Sequence, residues 1–150
     1  MIEVRCPTEA DTVAFGARLA PLVRAGDVIV LCGGLGAGKT RFVGGLASGL
    51  GVEEQVASPS FILARRYDSG FLPLIHADVY RLDTINEFDD LDLLDTATDG
   101  VLVIEWGDAV EPLLPVDHLR VEFEVEEDQT RILRLVPSGS WESRDLAEVA

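Results

Sequence analysis

One stretch constrains this chain more than any other: Gly33-Gly34-Leu35-Gly36-Ala37-Gly38-Lys39-Thr40 fits G-x-x-x-x-G-K-[ST] and follows directly on the apolar run Val28-Ile29-Val30-Leu31-Cys32. That order is a strand feeding a phosphate-binding loop. Successive backbone N–H groups can curl around a phosphate only where side chains do not obstruct the close approach, hence the glycines. In this pattern Lys39 reaches the β and γ phosphates and Thr40 offers its hydroxyl to Mg²⁺. The helix beginning here adds the positive end of its dipole. Lys39 is also the only lysine among 12 basic residues, which fits a compact ammonium kept where a phosphate loop needs one.

A chain of 150 residues suits one domain spanning 1–150, burying about two thirds of its unfolded surface. No apolar run is long enough for a membrane span, and the N-terminus lacks a basic region followed by an apolar core, so a cytoplasmic protein is expected. Cys6 and Cys32 fit no metal or redox spacing and are expected to be reduced, packed thiols. A net charge of −15 argues against extended contact with a nucleic-acid backbone, whose binding depends on neutralised phosphates.

In chain order, Ile2 to Arg5 reads as a strand. Thr8-Glu9-Ala10-Asp11 opens a helix expected to run to about Arg24, with Val13, Ala17, Ala20 and Val23 on one face. A second helix is expected from Lys39 to Leu50. Ser58-Pro59-Ser60-Phe61 is extended by its proline, either as a strand lead-in or as a switch-like loop whose hydroxyl approaches the γ-phosphate or metal. Phe61 to Tyr67 and Phe71 to Ala77 suggest a hairpin across Asp68-Ser69-Gly70. The acids between Thr84 and Thr98 read as the solvated face of one or two short helices. Val101-Leu102-Val103-Ile104 reads as a buried parallel strand ending in Glu105-Trp106. Leu119 to Glu126 and Arg131 to Val136 form an antiparallel pair. The tail, 137–150, is expected to be an exposed strand end or loose helix.

Strand ends in an open α/β sheet share a crevice with the phosphate loop, so Asp78 and Glu105 can both reach a metal or its waters. Glu105 is assigned to magnesium and Asp78 to positioning water or a metal-bound water, with Lys39 as the third catalytic group. Trp106 either stacks near the nucleotide or packs in the core. His76 shares its side of the strand with Asp78, although a lone histidine is usually structural. With a single lysine no N-K-x-D guanine element can exist, which favours ATP.

These motifs, G-G-L-G-A-G-K-T, S-P-S-F, H-A-D-V-Y-R-L and I-E-W, in a chain of this length, resemble the TsaE family, bacterial ATPases of tRNA threonylcarbamoyladenosine formation. The resemblance implies an α/β P-loop NTPase fold with a mostly parallel central sheet flanked by helices and an antiparallel hairpin extension. It implies ATP and Mg²⁺ bound at Leu35, Gly36, Ala37, Gly38, Lys39 and Thr40, the metal held by Thr40 and Glu105. It places functional weight on Asp78 and Trp106, gives Ser60 a switch-like role, and brings Glu9 and Arg131 to the nucleotide. The implied partners are TsaD and TsaB, whose complex ATP hydrolysis resets between rounds, with tRNA reached only through them. Two positions depart from the family pattern: Gly34 stands where Asp or Asn is common, and Ser60 where Thr is common.

The same loop would also serve a small-molecule or nucleotide kinase, but a kinase lid needs several arginines, and only Arg65, Arg66 and Arg81 are candidates. A module acting by nucleotide occupancy without turnover is a third reading. Lys39→Ala is expected to abolish tight ATP binding in calorimetry, because no other lysine can substitute; unchanged affinity would refute the site.

Overall fold

The sheet is built around β2 (Val28–Cys32), whose five residues are all buried. A strand apolar on both faces must be covered on both, which fixes it at the centre of the molecule. In the computed structural model, which describes residues 1–34, 36–59, 64–79, 92–106 and 110–150, β2 lies parallel to β5 (Val101–Glu105) on one side and β6 (His118–Val125) on the other. With β1 (Ile2–Cys6), β3 (Ala64–Tyr67), β4 (Leu74–Asp78) and β7 (Arg131–Ser138), the strands form one sheet in the order β1-β7-β6-β2-β5-β4-β3.

The sheet is mixed, not mostly parallel as expected. β6–β2, β2–β5 and β5–β4 are parallel; β1–β7, β7–β6 and β4–β3 are antiparallel. The late hairpin is no appendage, because β6 continues the sheet directly from β2. Its alternating pattern already places Leu119, Val121 and Phe123 on the face that carries the helices.

That face is covered by α1 (Glu9–Leu19) and α2 (Lys39–Gly49). Phe42 joins them to the sheet, its ring 5.9 Å from that of Phe15 and 6.0 Å from that of Phe123. The helices approach backbone to backbone: a Cβ on Gly45 would lie 2.0 Å from the Val13 carbonyl oxygen. On the other face Val30, Ile75, Leu102 and Ile104 pack with Leu93, the first residue of the short helix α3 (Leu93–Thr96), and with Ala97, which follows that helix. Residues 84–91 of the stretch expected to form one or two short acidic helices lie outside the described residues.

α1 opens on the anticipated capping box: the Asp11 N–H donates to the Thr8 hydroxyl, and the Thr8 N–H donates to the Asp11 carboxylate. The helix stops at Leu19 rather than Arg24. Pro21 lacks an N–H, and its ring would clash with the Ala17 carbonyl in a continuing helix, so Ala20–Leu22 tightens to a 3₁₀ turn. The buried face is Thr12, Phe15, Gly16 and Leu19 instead of one through Val13 and Ala17, which are half-buried. The β3–β4 loop is also wider than anticipated, 68–73. The Phe71 N–H donates to the Leu50 carbonyl at 2.7 Å, drawing that segment off the strand, and the Phe71 side chain is 86% exposed.

The tail is packed rather than loose. Gly139–Ser143 forms a 3₁₀ turn that buries Trp141 completely in the helix-side core. The Arg144 guanidinium stacks 3.9 Å from the Trp141 ring centroid and grips Asp27 with two hydrogen bonds of 2.6 and 2.9 Å. A final helical turn, α4 (Leu146–Val149), accepts a hydrogen bond from Arg18 of α1 at the Val149 carbonyl. Cys6 and Cys32 are both buried and not joined in a disulfide, and burial pushes the Cys6 thiol pKa up. Among the described residues no helix is long and apolar enough to cross a membrane.

Arg144→Met should cost about 3–5 kcal/mol in urea unfolding, because it leaves the buried Asp27 carboxylate without its guanidinium. A loss below about 1 kcal/mol, the range of an exposed pair, would contradict a stabilising clasp.

Candidate functional site

The carboxyl end of β2 runs into the glycine loop, and the loop runs into α2. Gly38, with φ of 99°, is the residue before the first helical turn. A left-handed backbone is strained for a residue with a Cβ, so glycine is what lets the chain reverse here and direct its amides into a concavity. Next to β2, the parallel pair β5–β4 sets Glu105 and Asp78 opposite one another in register. Alternation along β4 and β5 puts Leu74, Val101 and Val103 in the helix-side core. His76, Asp78 and Glu105 therefore belong to the same side as α2 and the loop.

Lys39 is 4% exposed. Its Nζ donates to the Gly33 carbonyl at 2.7 Å and lies 3.4 Å from the centroid of the Trp106 ring. Trp106 follows β5 with a left-handed φ of 62°, a conformation costing on the order of 1 kcal/mol or more for a non-glycine residue. The Thr40 hydroxyl donates to Glu105 Oε2 at 3.2 Å, with Oε1 at 3.4 Å. His76, fully buried, makes a short hydrogen bond from Nε2 to the same Oε2. Glu105 and Asp78 are 3% and 6% exposed, so their carboxylates depend on fixed partners more than on bulk water.

Lys39, Thr40, Asp78, Glu105 and Trp106 line a cleft of about 270 Å³. Of those singled out from sequence, Glu9, Gly36, Ala37, Gly38, Lys39, Thr40, Asp78, Glu105, Trp106 and Arg131 are on its wall, and Leu35 and Ser60 lie outside the described residues. Ser58, the other hydroxyl of the S-P-S-F segment, lines the cleft. Thr12 and Arg41 were missed. Arg41 had a signal in directly following the loop motif, whereas Thr12 reaches the wall only through the close α1–α2 packing. Arg131, first residue of β7, donates to the Gly36 carbonyl at 3.0 Å and bridges the loop to the Gln129 carbonyl at 2.6 Å. Glu9 pairs with Arg41 at 3.6 Å, both largely exposed, and such a pair contributes little.

Chemically, the loop amides and an ammonium can hold an anion with several charges. The Thr40 hydroxyl and the two carboxylates are hard oxygen donors. Among the described residues no three His, Cys, Asp or Glu groups form a metal cage of their own. Thr40 and Glu105 are the groups that could hold a magnesium ion, which binds through one or two carboxylates and takes the rest of its shell from water and phosphate. Arg131→Ala should speed amide exchange in the 36–39 segment by roughly fivefold, the worth of about one net hydrogen bond. Unchanged exchange in a hydrogen-exchange measurement would show that Arg131 does not restrain the loop.

A family model described as threonylcarbamoyl adenosine biosynthesis protein TsaE matches residues 6–133. The chain is 41% identical over 143 residues to the tRNA threonylcarbamoyladenosine biosynthesis protein TsaE of Streptomyces coelicolor, covering 90% of this chain and 97% of that one. It is 42% identical over 136 residues to the protein of the same name from Mycobacterium tuberculosis, covering 84% and 81%. The crystal structure of Bacillus subtilis YdiB is similar, with a TM-score of 0.80 and 32% identity over 98% of this chain and 91% of that one.

Proposed function

The chain belongs to the TsaE family, and on that premise we propose that it is a magnesium-dependent ATPase of tRNA threonylcarbamoyladenosine formation, one that resets a complex of TsaD and TsaB between rounds. The observation that carries this reading is the convergence, in one cleft, of the buried Lys39 ammonium, the Thr40 hydroxyl and two carboxylates at adjacent strand ends. A ligand made of linked phosphates and a hard dication matches that set of donors and charges.

Lys39 would exchange the Gly33 carbonyl and the indole face for the β and γ phosphates, while the loop amides cradle the same groups. Thr40 and Glu105 would hold magnesium, whose chemistry when bound is to neutralise charge developing on the β and γ oxygens. Asp78, in register beside Glu105, orients the attacking water. Arg131 restrains the loop at Gly36, and Trp106 closes the cleft beside Lys39. The net charge of −15 weighs against a direct grip on tRNA, so we assign contact with the nucleic acid to the protein partners. A cytoplasmic location follows from the same reading.

Reconstitution with TsaD, TsaB, tRNA and ATP is the test. Adding this chain should turn a single round of product into repeated rounds, with phosphate released. Asp78→Ala should keep ATP affinity but lose about 100-fold or more in hydrolysis, the scale of a positioned acid or base, and should fail to sustain repeated rounds. If that variant binds ATP and sustains them fully, occupancy suffices and hydrolysis is not the function. Efficient phosphoryl transfer to a metabolite would instead identify a kinase.

A further inference from the structure

His76 stands in the middle of a strand that is otherwise apolar up to its end, Leu74-Ile75-His76-Ala77. It is completely buried, and Leu or Ile would fill such a position without desolvating a polar ring. Its Nδ1 has no hydrogen-bond partner among the described residues. Its Nε2 reaches Glu105 Oε2, the oxygen that also accepts from the Thr40 hydroxyl. An ionised carboxylate only accepts, which assigns the ring hydrogen to Nε2.

We propose that His76 is a positioning residue: it clamps the Glu105 carboxylate against the mouth of α2 and thereby sets the magnesium affinity of the nucleotide site. The inference rests on the functional reading above. A glutamate side chain at a strand end has three rotatable bonds and loses rotamer entropy when fixed. Here two donors on different elements, Thr40 on α2 and His76 on β4, hold one oxygen from two directions. His76 itself has little freedom, since β4 is an inner strand that pairs His76 with Val103 on one side and Arg65 on the other. The ring thus ties the carboxylate to the rigid sheet, and outer partners of this kind typically govern metal affinity by about 10- to 100-fold.

The test is calorimetric titration of ATP into the full chain, in magnesium and in EDTA, each protein's magnesium-dependent gain being taken against its own affinity in EDTA. His76→Leu keeps the volume and removes the donor; its gain should fall by about tenfold or more. His76→Gln places an amide N–H where Nε2 lies and should retain most of the gain. In a Glu105→Ala background neither substitution should change the gain further. A wild-type gain in the Leu variant, or equal losses in Leu and Gln, would overturn the proposal in favour of simple core packing. Should the Leu variant fail to fold, His76→Asn against His76→Gln makes the same comparison, because the shorter amide cannot span to Glu105. Absence of any magnesium-dependent gain in the unsubstituted protein would instead refute the functional reading itself.

Discussion

A buried ammonium is the constraint around which the site is arranged. Taking a lysine head group out of water costs several kcal/mol even after the protein relaxes, and Lys39 is 4% exposed. The Gly33 carbonyl and the Trp106 ring share the burden, the ring supplying on the order of 2 kcal/mol when the cation is desolvated. Both partners are themselves held by geometry: Gly33 by the end of β2, and Trp106 by a left-handed turn at the end of β5. In the proposed ATP complex the triphosphate would bring full negative charge to this ammonium.

The sheet delivers these pieces to one place. β2 parallel to β5, and β5 parallel to β4, bring a loop and two acidic strand ends to the same edge, and α2 begins where they meet. β6 and β7 extend the sheet from β2 in the other direction and return Arg131 to the Gly36 carbonyl. The remote clasp acts on the same frame. Asp27 directly precedes β2, and Arg144 binds it while Trp141 fills the core behind, so the C-terminal turn fixes the starting point of the strand that ends in the loop.

Much of this was legible in the sequence because it rests on local signals. The loop, the two acids at strand ends, the capping box at Thr8 and the late hairpin each follow from spacing within a few residues. What escaped reading depends on contacts distant along the chain. Arg144 and Asp27 are separated by most of the sequence, and a polar tail with one tryptophan carries no periodicity to announce a buried clasp. Thr12 reaches the cleft only because α1 and α2 meet backbone to backbone at Gly45. The parallel seating of β6 beside β2 cannot be read from the hairpin itself, since alternation shows which face is buried but not which strand is the neighbour. The stop at Leu19 was available in Pro21, whose local rule outranks the apolar periodicity that runs through it.

In the proposed complex the ammonium of Lys39 leaves the indole of Trp106 for the phosphates of ATP. Lys39 is the sole lysine, so lysine-selective isotope labelling yields one ε-methylene signal in an NMR spectrum. Lying over an aromatic face, those protons should resonate upfield of a solvated lysine in the free protein. They should move downfield on saturation with ATP and magnesium, and a Trp106→Leu variant should lack the initial upfield shift. An ε-methylene signal at the solvated position in the free protein, or one unmoved by saturating nucleotide, would contradict the account.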